Sequence, residues 1–360
     1  MVVGPDGQLP LPWLAAPLQA ALAQQRGHAL LVQGHEGIGA LPFVLTLAQA
    51  WLCESTAADQ KAPCGHCGSC KLVQNRLHPD LQVLMPELLR RRHEWPLVDD
   101  KVEGEDSKKK PSKQIRIDEV RSVIDWVYKT SARGRGKVVV LHPAEALNLQ
   151  SANALLKTLE EPPAGTRIVL STADAAWLLP TVRSRCQAIR LQGPETQAAM
   201  AWLQSEGVEG ADVLLAACSG RPLEAADWFA SGVRADQWQG LPAALARGLP
   251  GPLQGWPLPR VLDALHKVCH DAMALACGAE QRYFPPGSVP AHASLQALSV
   301  WSRELDRVAR HDDHPFFEGL MLEALVAAAG RALNTRAGNS PAHTGQTHHA
   351  NRRGLDTLPS

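Results

Sequence analysis

A strand, a glycine loop and a helix in direct succession constrain this chain more than any other stretch in it. Ala29-Leu30-Leu31-Val32 supplies the apolar strand, Gly34-His35-Glu36-Gly37-Ile38-Gly39-Ala40-Leu41 the loop, and a helix is expected from about Pro42 to Leu52. A buried strand that ends in such a turn and opens a helix is the arrangement by which α/β proteins hold a phosphate on backbone N–H groups. A working loop of this kind places Lys and then Ser or Thr after its last glycine. Here Ala40 and Leu41 stand in those positions, so the charge and the magnesium-ligating hydroxyl are both missing. Pro42 removes one more N–H donor from the first helical turn. Each hydrogen bond to a charged group is worth roughly 1.5–3 kcal/mol, so three losses predict nucleotide binding weakened by orders of magnitude. The bland alternative is a glycine turn with no phosphate-binding ancestry.

Length and composition narrow the rest. A chain of 360 residues fits two or three domains, and 45% hydrophobic residues with 20% charged residues and zero formal net charge describe a globular protein. No apolar run approaches the roughly 20 residues needed to span a bilayer. Met1–Pro12 has neither the basic start nor the apolar stretch of a signal peptide, and a cytoplasmic protein is expected. Zero net charge argues against tight nucleic-acid binding over the whole surface while permitting a local basic patch.

Of eight cysteines, Cys64, Cys67 and Cys70 stand together and Cys53 lies eleven residues upstream. Two interlocking Cys-x-x-Cys steps and a fourth thiol match tetrahedral zinc, with Gly65 and Gly68 allowing the tight turns. His66 and His78 are the alternative ligands should one cysteine be excluded. Four protein ligands leave no open position, so such a zinc is a staple and not a catalyst.

Further along, Leu81–Met85 reads as a strand and Ile117–Thr130 as a helix with acids in its first turn. Lys137-Val138-Val139-Val140-Leu141 has the continuous apolar character of a strand buried on both faces of a parallel sheet. In a nucleotide hydrolase of this layout, acids that hold a magnesium-bound water follow that strand; here His142-Pro143 follow it. Asn148–Glu161 is expected to be helical, Arg167–Thr172 a strand, and a helix is expected from Trp177 toward Val182-Arg183-Ser184-Arg185-Cys186. Strand, helix and strand recurring at this interval predict an α/β domain with a parallel sheet and helices on both faces. The stretch from Arg90 to Lys113 mixes arginines, acids and Lys108-Lys109-Lys110 without apolar periodicity and reads as a mobile, solvated insertion.

With these segments in view, the chain resembles the delta-prime family of bacterial DNA polymerase III clamp-loader subunits, within the AAA+ superfamily. Four matches carry the resemblance: the defective glycine loop, the cysteines at 53, 64, 67 and 70, the run Asn153-Ala154-Leu155-Leu156-Lys157-Thr158-Leu159-Glu160-Glu161-Pro162-Pro163, and Arg183-Ser184-Arg185-Cys186. It covers residues 12–192 well and is architectural beyond. The resemblance implies an AAA+ α/β domain over 1–192 with a zinc module at 53–70 and the insertion at 90–113. A helical lid over 193–231, a helical collar over 232–335 and a disordered tail over 336–360 would follow. It further implies that Arg185 is an arginine finger acting on the ATP of a neighbouring subunit, where a guanidinium stabilises charge growing on the γ-phosphate. The bland alternative for Arg185 is pairing with a local acid to fix the helix end, a role better suited to Arg183.

ATP-hydrolysing subunits of the same assembly carry Lys and Thr or Ser where Ala40 and Leu41 stand, and Asp-Glu where His142-Pro143 stand. They also carry a second sensor arginine, and in Gly220-Arg221-Pro222-Leu223 that position falls on Leu223 or, two residues shifted, on Arg221. The implied function is a non-hydrolysing scaffold, with structural zinc and without bound ATP. Its implied partners are gamma/tau-type and delta subunits in a hetero-oligomeric ring that loads the sliding clamp on primed DNA. The rival readings are an autonomous AAA+ ATPase, marked by tight magnesium-dependent ATP binding, and a zinc-knuckle nucleic-acid binder, marked by salt-steep binding of primed duplex.

Overall fold

The computed structural model describes residues 2–24, 27–55, 63–96, 111–310 and 318–336. Most of the expected insertion, residues 97–110, and nearly all of the expected tail, residues 337–360, lie outside the described residues. The chain divides into two compact units, Met1–Ala235 and Asp236–Ser360.

The first unit is built on five parallel strands, β1 (Ala29–Gln33), β2 (Leu81–Leu84), β3 (Lys137–Leu141), β4 (Thr166–Thr172) and β5 (Gln187–Arg190), in the order β2-β3-β4-β1-β5. Leu31 of β1 lies beside Leu170 of β4 on one side and Ala188 of β5 on the other. The alternation of a strand sends successive side chains to opposite faces. Leu30, Val32, Val83, Val138, Val140 and Val169 therefore face α1 (Ala15–Gln24) and α2 (Ala40–Leu52). Ala29, Leu31, Leu84, Val139, Leu141, Ile168 and Leu170 face α5 (Ile117–Val127), α6 (Leu149–Glu160) and α7 (Pro180–Arg183). Helices thus cover both faces, as an all-parallel sheet requires.

Local chemistry sets several boundaries. Asn148 caps α6 by accepting the N–H of Ser151 at 2.9 Å. Helix α2 starts two residues before Pro42, with Gly39 in the left-handed region (φ 107°) as its cap. Cys67 opens α3 (Gly68–Gln74), its sulfur accepting the N–H of Cys70. Two turns meet where Gly136 (φ 86°) approaches Gly165: a Cβ on Gly136 would stand 2.0 Å from the Gly165 carbonyl oxygen, which itself accepts the N–H of Lys137 at 3.1 Å.

Three expectations change. Instead of a helix starting at Trp177 there is a single 3-10 turn, Ala175–Trp177, before the short α7. Gln187–Arg190, given no strand character by its sequence, is the edge strand β5. Arg90, Arg91 and Arg92, placed at the start of the insertion, close α4 (Glu87–Arg92); Arg90 is buried, donating to the Met85 carbonyl and pairing with Glu119 at 3.4 Å.

Helices α8 (Thr196–Ser205), α9 (Ala211–Ala217) and α10 (Pro222–Ala230) complete the first unit. They are anchored to the sheet domain by an edge-to-face contact of Trp202 with Trp13 (5.5 Å), an Arg92–Asp227 ion pair and Leu223, which packs on the core around α2. Helix α11 (Ala235–Ala246) starts at the division. In the second unit it is joined by α12 (Leu258–Ala276), α13 (Leu295–Ala309) and α14 (Glu318–Asn334). The stripe Val261, Leu265, Val268 and Ala272 is buried. Asp271, fully buried, accepts the N–H groups of Arg282, Tyr283 and Phe284 and so fixes the connection from α12 to α13. No described helix is long and apolar enough to cross a membrane.

Candidate functional site

The glycine loop leaves the carboxyl end of β1, where the chain crosses to β2 on one side while β5 is added on the other. Ligands of open α/β sheets bind at such a switch point. The chain's own groups pack closely around this one. Trp13 Nε1 donates to the Ile38 carbonyl at 2.8 Å, and the Leu223 N–H donates to the Gly37 carbonyl at 3.0 Å. A Cβ on Gly37 (φ 79°) would stand 3.0 Å from Cβ of Arg221 and 3.3 Å from Cβ of Glu224, so the start of α10 rests on the loop. A Cβ on Gly39 would stand 2.5 Å from Leu11, and one on Gly34 3.1 Å from Leu191. Leu41 is buried and Ala40 packs on the same core. Arg221 donates to the Cys218 carbonyl and pairs with Glu224 at 2.8 Å, and both it and Leu223 lie against the loop.

After β3, where metal-holding acids would stand, His142 Nδ1 meets Ser171 Oγ at 2.7 Å, and burial brings the imidazole down to about 4. It is neutral at physiological pH. The first acid beyond it, Glu145, is turned onto the end of β4, where Oε1 accepts from Thr172 Oγ1 at 2.6 Å and from the N–H groups of Ala173 and Asp174.

Arg185 lies just past α7 on the partly exposed surface. Its Nε and Nη2 both donate to Glu160 Oε2, at 3.0 and 2.9 Å, and Nη1 donates to the Thr181 carbonyl at 3.0 Å. The acid partner expected for Arg183 is therefore found on Arg185; Arg183 donates instead to the Ala175 carbonyl. Glu160 went unassigned in the sequence because its partner is 25 residues away and no short-range pattern joins them.

The cysteines form the second candidate centre. Sγ atoms of Cys53, Cys64, Cys67 and Cys70 all lie within 4.8 Å of one another, with Cys53–Cys67 and Cys64–Cys70 at 3.9 Å. Four sulfurs at zinc–thiolate distance from one centre lie about 3.8 Å apart, so the set fits a tetrahedral ion. None of these cysteines is in a disulfide. N–H groups of Glu54, Cys64, Cys67 and Cys70 point at the sulfurs at 3.4–3.5 Å, the bonds a thiolate attracts. Burial pushes the Cys53 and Cys70 thiols up; at Cys64 burial also pushes up, but N–H bonds from Cys67 and His66 outweigh it and bring that thiol down to about 6.

Neither histidine alternative reaches the cluster. His66 Nδ1 meets the Cys64 carbonyl at 2.8 Å. His78 accepts the Asp80 N–H on Nδ1, so its Nε2 carries the proton and donates to Ser69 Oγ at 3.0 Å. Ser69 in turn donates to Glu54, which Arg133 holds at 2.6 Å. Asp80 accepts the N–H groups of Ala132 and Arg133. This polar network braces the knuckle against the start of β2 and the turn before β3.

Comparisons with known proteins show the family. A family profile described as DNA polymerase III, delta subunit, matches residues 13–195, just over half of the chain. The chain belongs to that family. A curated relative from Pseudomonas aeruginosa, named DNA polymerase III subunit delta', is 36% identical over 233 residues, covering 62% of this chain and 64% of that protein. One of the same name from Escherichia coli is 34% identical over 249 residues, 66% of each chain. More distantly, a protein from Salmonella typhimurium named DNA polymerase III subunit tau is 29% identical over 170 residues, 47% of this chain and 22% of that one. The match spans just under two thirds of the length of the two delta' relatives.

Proposed function

We propose that this chain is a non-hydrolysing scaffold of a clamp-loader assembly. It binds no ATP at its own glycine loop and presents Arg185 to the ATP site of an adjoining gamma/tau-type subunit while a sliding clamp is placed on primed DNA in the cytoplasm. The observation that carries this reading is the loss of the phosphate-facing side chains at the loop, with the buried Leu41 standing in the hydroxyl position. Where a lysine and hydroxyl would meet phosphate, Ala40 and Leu41 pack into the core. Family membership and relatives named as polymerase III subunits support the assembly half of the proposal.

At the neighbour's site the γ-phosphoryl group passes from ADP to water, and negative charge grows on its oxygens. A guanidinium brought to those oxygens lowers the barrier without taking or giving a proton. The four thiolates take zinc as a structural ion, and the second unit serves as the collar that joins the ring.

Equilibrium binding of labelled ATP to the isolated chain tests the first half, with no saturable binding expected; micromolar, magnesium-dependent affinity would overturn it. Arg185→Ala in the reconstituted complex tests the second. A lowered steady-state ATPase is expected, and an unchanged rate removes the finger role. Tight, salt-steep binding of primed duplex by the chain alone would favour a nucleic-acid binder instead.

A further inference from the structure

Glu160 is the last residue of α6, and an acid there faces the negative end of the helix dipole. Helix stability gives no reason for a carboxylate at that place; its contact with Arg185 does. Both Nε and Nη2 of Arg185 converge on the single oxygen Oε2, and Nη1 reaches back to the carbonyl of Thr181, four residues earlier. A guanidinium has five N–H donors. Three are engaged, and among the described residues the structure gives no partner to the one remaining on each terminal nitrogen. The side of the fork is held and its tip is left to meet two oxygens of a phosphate.

The parts that hold it are rigid. Leu155 and Leu159 of α6 and Val182 of α7 are buried in one apolar cluster, which fixes the two helix ends against each other. An arginine side chain otherwise surrenders rotamer entropy when it is immobilised.

We infer that Glu160 is a positioning residue: it sets the guanidinium of Arg185 in the orientation used at the neighbouring ATP site, an inference that rests on the finger reading above. The contact is one of geometry more than of charge, so Gln at this position, whose amide oxygen accepts the same two bonds, retains it and Ala does not.

The test is steady-state ATPase of the assembled complex carrying Glu160→Ala, Glu160→Gln, Arg185→Ala or Glu160→Ala with Arg185→Ala, with assembly followed by gel filtration. For Glu160→Ala the expected result is a loss of roughly tenfold to a hundredfold in the Arg185-dependent part of kcat, the upper end being the scale of a catalytic group misplaced by about 1 Å. KM for ATP and the elution position are expected to stay unchanged. Glu160→Gln stays within about twofold of the parent, since the acceptor survives, and the double variant falls no further than Arg185→Ala. An unchanged or raised rate for Glu160→Ala overturns the inference, as does a fall that persists in the Arg185→Ala background or one explained by poorer assembly. If Arg185→Ala itself leaves the rate intact, the finger reading fails and takes this role with it. If Arg185→Ala lowers the rate and Glu160→Ala does not, Glu160 alone is ruled out.

Discussion

The glycine loop at Gly34–Leu41 and the cysteine knuckle at Cys64–Cys70 are both tight glycine turns that lead into a helix, and they have opposite internal economies. In the loop, carbonyls and space are consumed by Trp13, Leu223, Leu11 and Leu191 of the same chain. In the knuckle, four sulfurs converge within 4.8 Å of one another, and the surrounding N–H groups favour their ionised form. A turn signals a ligand when its donor atoms are left facing one another; glycines alone signal only a turn.

The largest effect should come from emptying the knuckle. Chain purified without chelator is expected to carry about one equivalent of zinc, the complement of one four-thiolate site. Removal of the ion, or Cys70→Ser, should destabilise the first unit by several kcal/mol, given apparent binding energies of about 10–16 kcal/mol for zinc in small structural sites. Hydrogen exchange over Cys64–Gln74 reads this locally; less than a tenth of an equivalent of metal would break the comparison at its root.

Acid sharpens it. The usual histidine value is 6.5 and His142 stands at about 4 in the folded chain, so the unfolded state binds more protons between those values. The stability this neutral histidine contributes is complete above pH 6.5 and falls away as the pH drops toward 4, by about 3 kcal/mol in all. Denaturant titrations across that range should show the slope and lose it in His142→Asn. Any acid sensitivity left in that variant and abolished by chelator is the share of the cysteines, whose thiolates lose metal as they take up protons.

Gly37→Ala should cost about 1–2 kcal/mol, because the left-handed backbone opposes a Cβ and α10 stands against it. A neutral substitution would mean the start of α10 does not rest on the loop. The smallest expected effect is none: restoring Ala40→Lys with Leu41→Thr should leave the chain with less than about 0.5 kcal/mol of stabilisation from millimolar ATP, since Leu11, Leu191 and the start of α10 still pack against the loop glycines and Pro42 still withholds a donor. A shift of several degrees in Tm would make the loop a dormant site and erase the contrast with the knuckle.

What the sequence revealed followed the range of the interactions. Strands β1, β3 and β4 were legible because burial on both faces writes a continuous apolar run into Leu30-Leu31-Val32, Val138–Leu141 and Ile168-Val169-Leu170. Strand β5 was not, because Gln187-Ala188-Ile189-Arg190 is exposed at the sheet edge and owes its conformation to the ladder with β1. Helix α4 was hidden by its charge, its buried Arg90 being held by Glu119 from a separate segment. Cysteine spacing exposed the knuckle, yet the brace of Glu54, Ser69, His78 and Arg133 joins residues up to 79 positions apart and leaves no local trace. Arg185 could be singled out through its neighbours in sequence; Glu160, its partner in space, could not.

Gly136 and Gly165 stand where two turns touch. One extra carbon on Gly136 would collide with the Gly165 carbonyl oxygen 2.0 Å away, whereas one on Gly165 would meet only an ordinary contact at 3.5 Å. A survey of tolerated substitutions would score Gly136 as severely as a functional residue, and a search for activity guided by such scores would be drawn to a joint between two tight bends.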